Sequence, residues 1–519
     1  MRRNKGKALL VVLAVLAMAT TAFGQDDQKL KRFDGVTITI ATLAAGPEGV
    51  ISGPVYKRAE EWSRLTGGQV EVAEIPFSEV HTKVMADLYT GIGIYDGFLA
   101  QAWFYGDYMA GDYVVPIDDY MNDPGFPQFN NNAVLPAVAN LLHWGDQQYA
   151  PPFDGDEFIL WYRKDVLADP AFAEPFRAAY GYELPNPPQT IDQLIDVAAF
   201  FQGKDWSGDG SPDYGIAMSL KSGQGLAQYW YQAIAAPYAI LPGPVVDRYH
   251  NVFWFDPDTL EPLINKPGHV RGLEKLVELA TKGQPEAGLA WDLGQSWSVF
   301  LDGKSVFALN TADIASGAQS SKAVKGQLGG IPIPGATEVY NRETGSWETF
   351  DDPNVVGNLL GANWNGTISK FSDHPEAVYS FFAYLATQEN LTQAAYAGGD
   401  GIDPTSEFQF LPPLGNANVE GYVKAGWNPE DARTYSDALY ANLAQVDTYL
   451  PYLRTRGTAS FQNALDAAIT NVLAERAEPQ EALDGVAEAW QRTIDSLGAD
   501  SFKQEYRTSI GYGEAPKGP

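Results

Sequence analysis

The chain has 519 residues and a formal charge of −30, with Asp and Glu outnumbering Lys and Arg 65 to 35, and it contains no cysteine. A nucleic-acid partner is excluded, because binding a polyanion by counterion release needs clustered Lys and Arg, and no basic block follows the first residues. The missing cysteines rule out disulfides, thiolate metal sites, cysteine nucleophiles and a lipid-modified cysteine.

At the N-terminus, Arg2, Arg3, Lys5 and Lys7 precede an apolar run over residues 8–19 that ends at Ala22-Phe23-Gly24. This reads as a signal peptide over residues 1–24, cleaved after Gly24. The run is shorter than the roughly 20 residues of a bilayer span, so export to a Gram-negative periplasm as a free, monomeric protein is expected.

The following segment alternates in a βαβαβ order. Residues 36–41 alternate β-branched side chains, 55–65 have helical spacing, 69–75 form a second strand, 80–89 a second helix, and 95–101 a third strand leading to Trp103. That order predicts a parallel sheet covered by helices, with ligands beyond the carboxyl ends of the strands. Loops 44–49 and 101–103 therefore share one rim.

Further on, residues 158–162 read as a strand, and Thr190 as the N-cap of a helix over 190–200. Residues 203–214 are turn-formers, 270–282 resume helical spacing, and 303–310 read as a strand. The extended stretch 329–335, with Pro332 and Pro334, suits a crossing between lobes. Helices are expected at 374–385, 432–445, 458–476 and 479–496.

Three segments in this order resemble family 1 extracellular solute-binding proteins of the maltose-binding type, the substrate-binding components of ABC importers. Tyr149-Ala150-Pro151-Pro152-Phe153-Asp154-Gly155-Asp156, leading to Leu160-Trp161-Tyr162-Arg163-Lys164-Asp165, is similar to the family's first crossing strand. Gly303-Lys304-Ser305-Val306-Phe307-Ala308 is similar to its Gly-Lys-x-Ala-Met strand, and residues 361–369 with His374-Pro375-Glu376-Ala377 to its later strand and helix. Thr311-Ala312-Asp313 departs from the Gly-x-Trp that often carries a stacking ring.

The resemblance implies an α/β, two-lobed periplasmic binding protein fold of type II, each lobe a mostly parallel sheet flanked by helices, with a helical C-terminal part. Residues 25–153 and 330–388 would form the first lobe, and 154–329 and 389–519 the second. It implies a non-enzymatic protein that closes by hinge motion on a small solute, a carbohydrate or related polyol, and delivers it to permease subunits.

A sugar needs hydrogen-bonding side chains around its edge and aromatic rings on its faces. Carried over position by position, the resemblance points to Gln101 and Trp103 after the third strand, Asp156 with its neighbour Asp154 in the first crossing, and Asn363 and Trp364 in the second. Trp230, Asp313 and Asp403 are second-lobe candidates, although Trp230 lies in an aromatic stripe of the kind that fills cores.

Asp205, Ser207, Asp209, Ser211 and Asp213 place oxygens at alternate positions with Gly210 at the sixth, the front of a calcium loop. Ile216 stands at the twelfth position, where a bidentate Glu is usual. A structural Ca2+ is expected there, against the simpler reading of an Asp-rich turn. The competing functional class is a secreted carbohydrate hydrolase using paired carboxylates such as Asp154 and Asp156.

Overall fold

The computed structural model describes residues 30–223, 226–445 and 448–513, so the expected signal peptide and its cleavage point lie outside the described residues. Two main sheets are built from β1 (Thr37–Leu43), β2 (Gln69–Ile75), β3 (Gly97–Ala100), β4 (Val114–Val115), β5 (Phe158–Arg163), β6 (Tyr214–Ala217), β7 (Ser305–Thr311), β8 (Leu328–Ile331) and β9 (Asn365–Ser369). The first sheet has the order β2-β1-β3-β9-β4, and the second β8-β5-β7-β6.

In the first sheet β1 runs parallel to β2 and β3, as the βαβαβ alternation requires, while β9 returns antiparallel between β3 and β4. Helices Ser52–Thr66, Val80–Thr90 and Pro375–Leu385 pack on it. Trp62 joins two of them, its indole N–H donating to Ser380 Oγ at 3.0 Å. In the second sheet, every residue of β5 and β7 is buried, the near-continuous apolar reading of strands covered on both faces. Ile191–Phe201, Pro267–Gly283 and Leu293–Leu301 pack on that sheet.

One expected crossing is corrected by the pairing. Gly329, Gly330 and Ile331 pair with Tyr162, Trp161 and Leu160 inside the second sheet, so 329–335 does not carry the chain between lobes. The two glycines have a packing role: a Cβ on Gly329 would lie 2.2 Å from the Tyr162 ring, and one on Gly330 2.6 Å from the Trp161 ring. After them the chain forms a hairpin, Ala336–Asn341 with Ser346–Asn354, that packs on helix Ala227–Ala239. It enters the first sheet only at β9.

The C-terminal helices Thr458–Leu473 and Pro479–Leu497 pack on each other and on Pro267–Gly283 of the second lobe. They also reach the first lobe. Arg454 donates to the carbonyls of Leu141 and His143 and to that of Ser509, and Gly457 N donates to Asp107 Oδ1 at 2.8 Å. The helical tail is therefore a strap across both halves.

Thr190 caps Ile191–Phe201 as expected, its Oγ1 accepting from Gln193 N at 3.1 Å. Losing an N-cap hydroxyl costs a helix about 1 kcal/mol. Thr190→Ala should accordingly lower the thermal midpoint by about 1–2 °C, read by circular dichroism, with the folded spectrum unchanged.

Candidate functional site

Between the sheets the chain runs out through residues 151–157 and back through 359–364, both outside any ladder. Buried backbone groups must still find partners, and here side chains provide them. Asn365 Oδ1 accepts from Phe153 N and Asp154 N, and Asn365 Nδ2 donates to Asp154 O. Asn358 Oδ1 accepts from Phe158 N at 3.2 Å. Asp156 Oδ2 accepts from Ala362 N at 2.9 Å, and Asn363 Nδ2 donates back to Asp156 O.

Asp154 is the centre of this brace. Its Oδ2 accepts from Trp364 N at 2.9 Å and its Oδ1 from Asp403 N at 3.1 Å, so both oxygens join three segments of backbone. That engagement makes it a positioning residue and removes it from the expected ligand contacts. Gly361 is equally fixed, because a Cβ there would fall 2.2 Å from the Asp156 carboxyl carbon. Its small size accommodates Asp156. Asn363 takes the left-handed conformation with φ 49°, which Asn tolerates better than branched residues.

Asp156, Asp313 and Asp403 converge from three places in the chain, with one carboxylate oxygen from each lying within 4.8 Å of the others. Asp156 and Asp403 are buried and Asp313, just beyond the end of β7, is half-buried. Tyr435 donates to Asp403 Oδ1 and Thr311 Oγ1 to Asp313 Oδ2. Asp156 Oδ1 and Asp403 Oδ2 have no partner. Glu157 lies alongside, accepting from Asn442 Nδ2 through Oε2 and leaving Oε1 unpartnered.

Burial sets the protonation of this group. It pushes Asp154 up to about 7 and Asp313 up to about 6, and raises Asp156, Asp403 and Glu157 as well. Repulsion among Asp154, Asp156, Asp313 and Asp403 adds to the rise.

An aromatic wall stands beside the acids. Trp103, in the turn after β3, stacks on Tyr229 of the second lobe with ring centres 4.5 Å apart and planes 19° from parallel. The Trp103 indole N–H donates to Leu360 O at 3.0 Å, which ties it to the second crossing. Phe77 packs against both Trp103 and Trp364. Gln101 Nε2 donates to Phe77 O, and Gln101 Oε1 has no partner.

Trp230 is corrected to a core residue. It stacks on Phe158 at 3.9 Å and donates to Ser219 O at 2.7 Å. Successive residues of a helix point about 100° apart, so its neighbour Tyr229 faces the cleft instead. The sequence reading missed Tyr229, and the helical phase of Tyr229-Trp230-Tyr231 was the signal that separates them. It also missed Tyr452, whose hydroxyl donates to Gly361 O, and nothing local in the sequence marks that contact.

The 205–213 loop is arranged as a turn around an ammonium. Lys304 Nζ donates to Asp213 Oδ1 at 2.9 Å and also to Asp209 Oδ2. Asp205 Oδ2 accepts from Gly210 N, Asp209 Oδ1 from Ser211 N, and Asp213 Oδ2 from Ser207 N. With those oxygens engaged and Lys304 supplying the positive charge, the loop as arranged does not fit a calcium ion.

Two α/β lobes joined by side-chain-braced crossings, with acids and stacked rings gathered between them, are the architecture of two-lobed solute receptors. The family model for bacterial extracellular solute-binding proteins matches residues 57–408, and the chain belongs to that family, whose members are binding components and not enzymes. Solved structures share the fold. A solute-binding protein of Agrobacterium radiobacter K84 in complex with ribitol is 21% identical with a TM-score of 0.61, covering 89% of this chain and 100% of its own. One from Agrobacterium vitis S4 with D-mannitol is 20% identical at 0.60, covering 89% and 99%. Maltose-bound MalE3 of T. maritima is 18% identical at 0.59, covering 88% and 100%.

The raised carboxyls predict a pH dependence. The folded chain keeps protons on them that the unfolded chain releases near pH 4, so it binds more protons between about pH 4 and 7 and loses stability as pH rises through that window. Asp156→Asn removes one titrating group while keeping an acceptor for Ala362 N. The thermal midpoint of Asp156→Asn relative to the parent protein should be several degrees higher at pH 8 than at pH 5.

Proposed function

We propose that this protein is the periplasmic receptor of an ABC importer, exported by the N-terminal signal peptide with cleavage after Gly24, and that it captures a polyhydroxylated solute between its lobes. The observation that carries the reading is the facing of Trp103 and Tyr229 across the cleft, next to carboxylates whose oxygens lack donors. Rings cover the C–H faces of a polyol or sugar while Asp156, Asp313, Asp403, Gln101 and Asn363 accept its hydroxyl hydrogens. Relatives of the same fold hold ribitol, D-mannitol and maltose, which supports a ligand of this chemistry.

Lobe closure around the solute presents both halves together to permease subunits in the inner membrane. Opening separates Trp103 from Tyr229, and the solute takes the place of one ring against the other. Calorimetry of the mature chain with ribitol, mannitol and maltose should give saturable heat and return the ligand unchanged. Turnover of the ligand, or silence across the whole panel, overturns the reading. Trp103→Ala should weaken the bound member of the panel at least tenfold with the far-ultraviolet spectrum retained.

Calcium at the 205–213 loop is proposed in a narrower form: the ion enters only by displacing Lys304 from Asp209 and Asp213. Millimolar calcium should leave the melting temperature of the parent protein unchanged and raise that of Lys304→Met.

A further inference from the structure

We infer that the cleft is built for a solute bearing a primary ammonium group, whose three N–H bonds go to Asp156, Asp313 and Asp403. The inference rests on this cleft being the solute site, and it adds the charge of the solute.

The first support is the acceptor arithmetic. Asp156 spends one oxygen on Ala362 N and Asp403 spends one on Tyr435, while Asp313 accepts only through Oδ2 from Thr311. One oxygen of each is left. Asp156 Oδ1 and Asp403 Oδ2 belong to side chains only 6% and 3% exposed and are without any donor. Fully buried Asn363 likewise leaves its Oδ1 unpartnered while its amide nitrogen donates to Asp156 O. Buried acceptors left open in this way call for a donor from outside the chain.

Geometry then selects the donor. An ammonium nitrogen with hydrogen bonds of about 2.8 Å in tetrahedral directions sets its acceptors about 4.6 Å apart. The three carboxylates offer oxygens within 4.8 Å of one another. Charge points the same way, since three carboxylates raise one another's cost of ionisation and a cation among them offsets that repulsion.

A divalent metal suits the site less well. Calcium takes about six to eight oxygens, and magnesium a near-octahedral set. Three free carboxylate oxygens match the three N–H bonds of an ammonium, whereas a calcium or magnesium ion there would have to complete its shell with water. Asp154 cannot make up the number, because both of its oxygens hold backbone N–H groups. The stacked rings of Trp103 and Tyr229 next to the acids suit an organic solute.

The test is calorimetry at pH 7 on the mature chain with four probes: 1-amino-1-deoxy-D-glucitol, D-glucitol, 1,4-diaminobutane and calcium chloride alone. The amino polyol should bind at least tenfold tighter than glucitol. That margin should fall below threefold in Asp313→Asn and in Asp403→Asn, each checked for folding by circular dichroism. Asp313 is half-buried and carries the test if Asp403→Asn unfolds. Equal affinity for glucitol and its amino counterpart overturns the inference and leaves the polyol reading standing. Binding of diaminobutane with neither polyol upholds the ammonium and removes the polyol reading. Stoichiometric calcium binding that Asp313→Asn abolishes, or no response to any probe, overturns the inference.

Discussion

Backbone that leaves one sheet and enters another has no ladder to pair with, and in a buried position each unmet N–H or C=O costs about 1–3 kcal/mol. The crossings at 151–157 and 359–364 meet that constraint with side chains. Asp154, Asp156, Asn358, Asn363 and Asn365 form a side-chain-to-backbone brace in place of a strand. Short polar residues do this because their oxygens and amides reach a neighbouring backbone with few rotors to order. The concentration of Asp and Asn at the cleft is thus first a solution to a folding problem.

Binding chemistry follows from what the brace leaves over. Asp154 is exhausted by Trp364 N and Asp403 N, whereas Asp156 gives one oxygen to Ala362 N and keeps the other. The brace therefore fixes where the free acceptors stand to the precision of the backbone itself. Trp103 comes from the first lobe, Tyr229 and Asp313 from the second, and Asp156 from between them. No single lobe owns the site. A solute that touches all of them binds the closed arrangement better than the open one, and that difference in affinity is what biases the hinge.

Much of this was legible in the sequence where local rules act alone. The βαβαβ start, the Thr190 cap, the strand at 158–162 and the late helices all appear close to their expected places, because periodicity and capping are local. Asp156, carried over from the resemblance, and the second-lobe candidates Asp313 and Asp403 bring carboxylate oxygens to within 4.8 Å of one another. The failures share one cause. Gly329 and Gly330 read as a crossing because nothing nearby shows that the rings of Tyr162 and Trp161 lie over them from 167 and 169 residues away in the chain. The Lys304 ammonium held by Asp209 and Asp213 was equally out of view, being distant in sequence and adjacent in space. In each case the missing partner was a long-range contact.

Open acceptors also explain how such a cleft could discriminate. A site with buried oxygens rejects a solute that lacks matching donors, since closure would then strand those oxygens away from water, and discrimination by unpaired polar groups far exceeds what a missing methylene gives. Apolar closure alone could not do this, because the Trp103 and Tyr229 faces accept any flat C–H surface. The acids raise the stakes further: with Asp156 and Asp403 buried, closing without a donor holds like charges together or forces protons onto them. Protons in acid, or the donors of a solute at neutral pH, would satisfy those oxygens and favour the closed arrangement. Recognition and closure are in this way one electrostatic event.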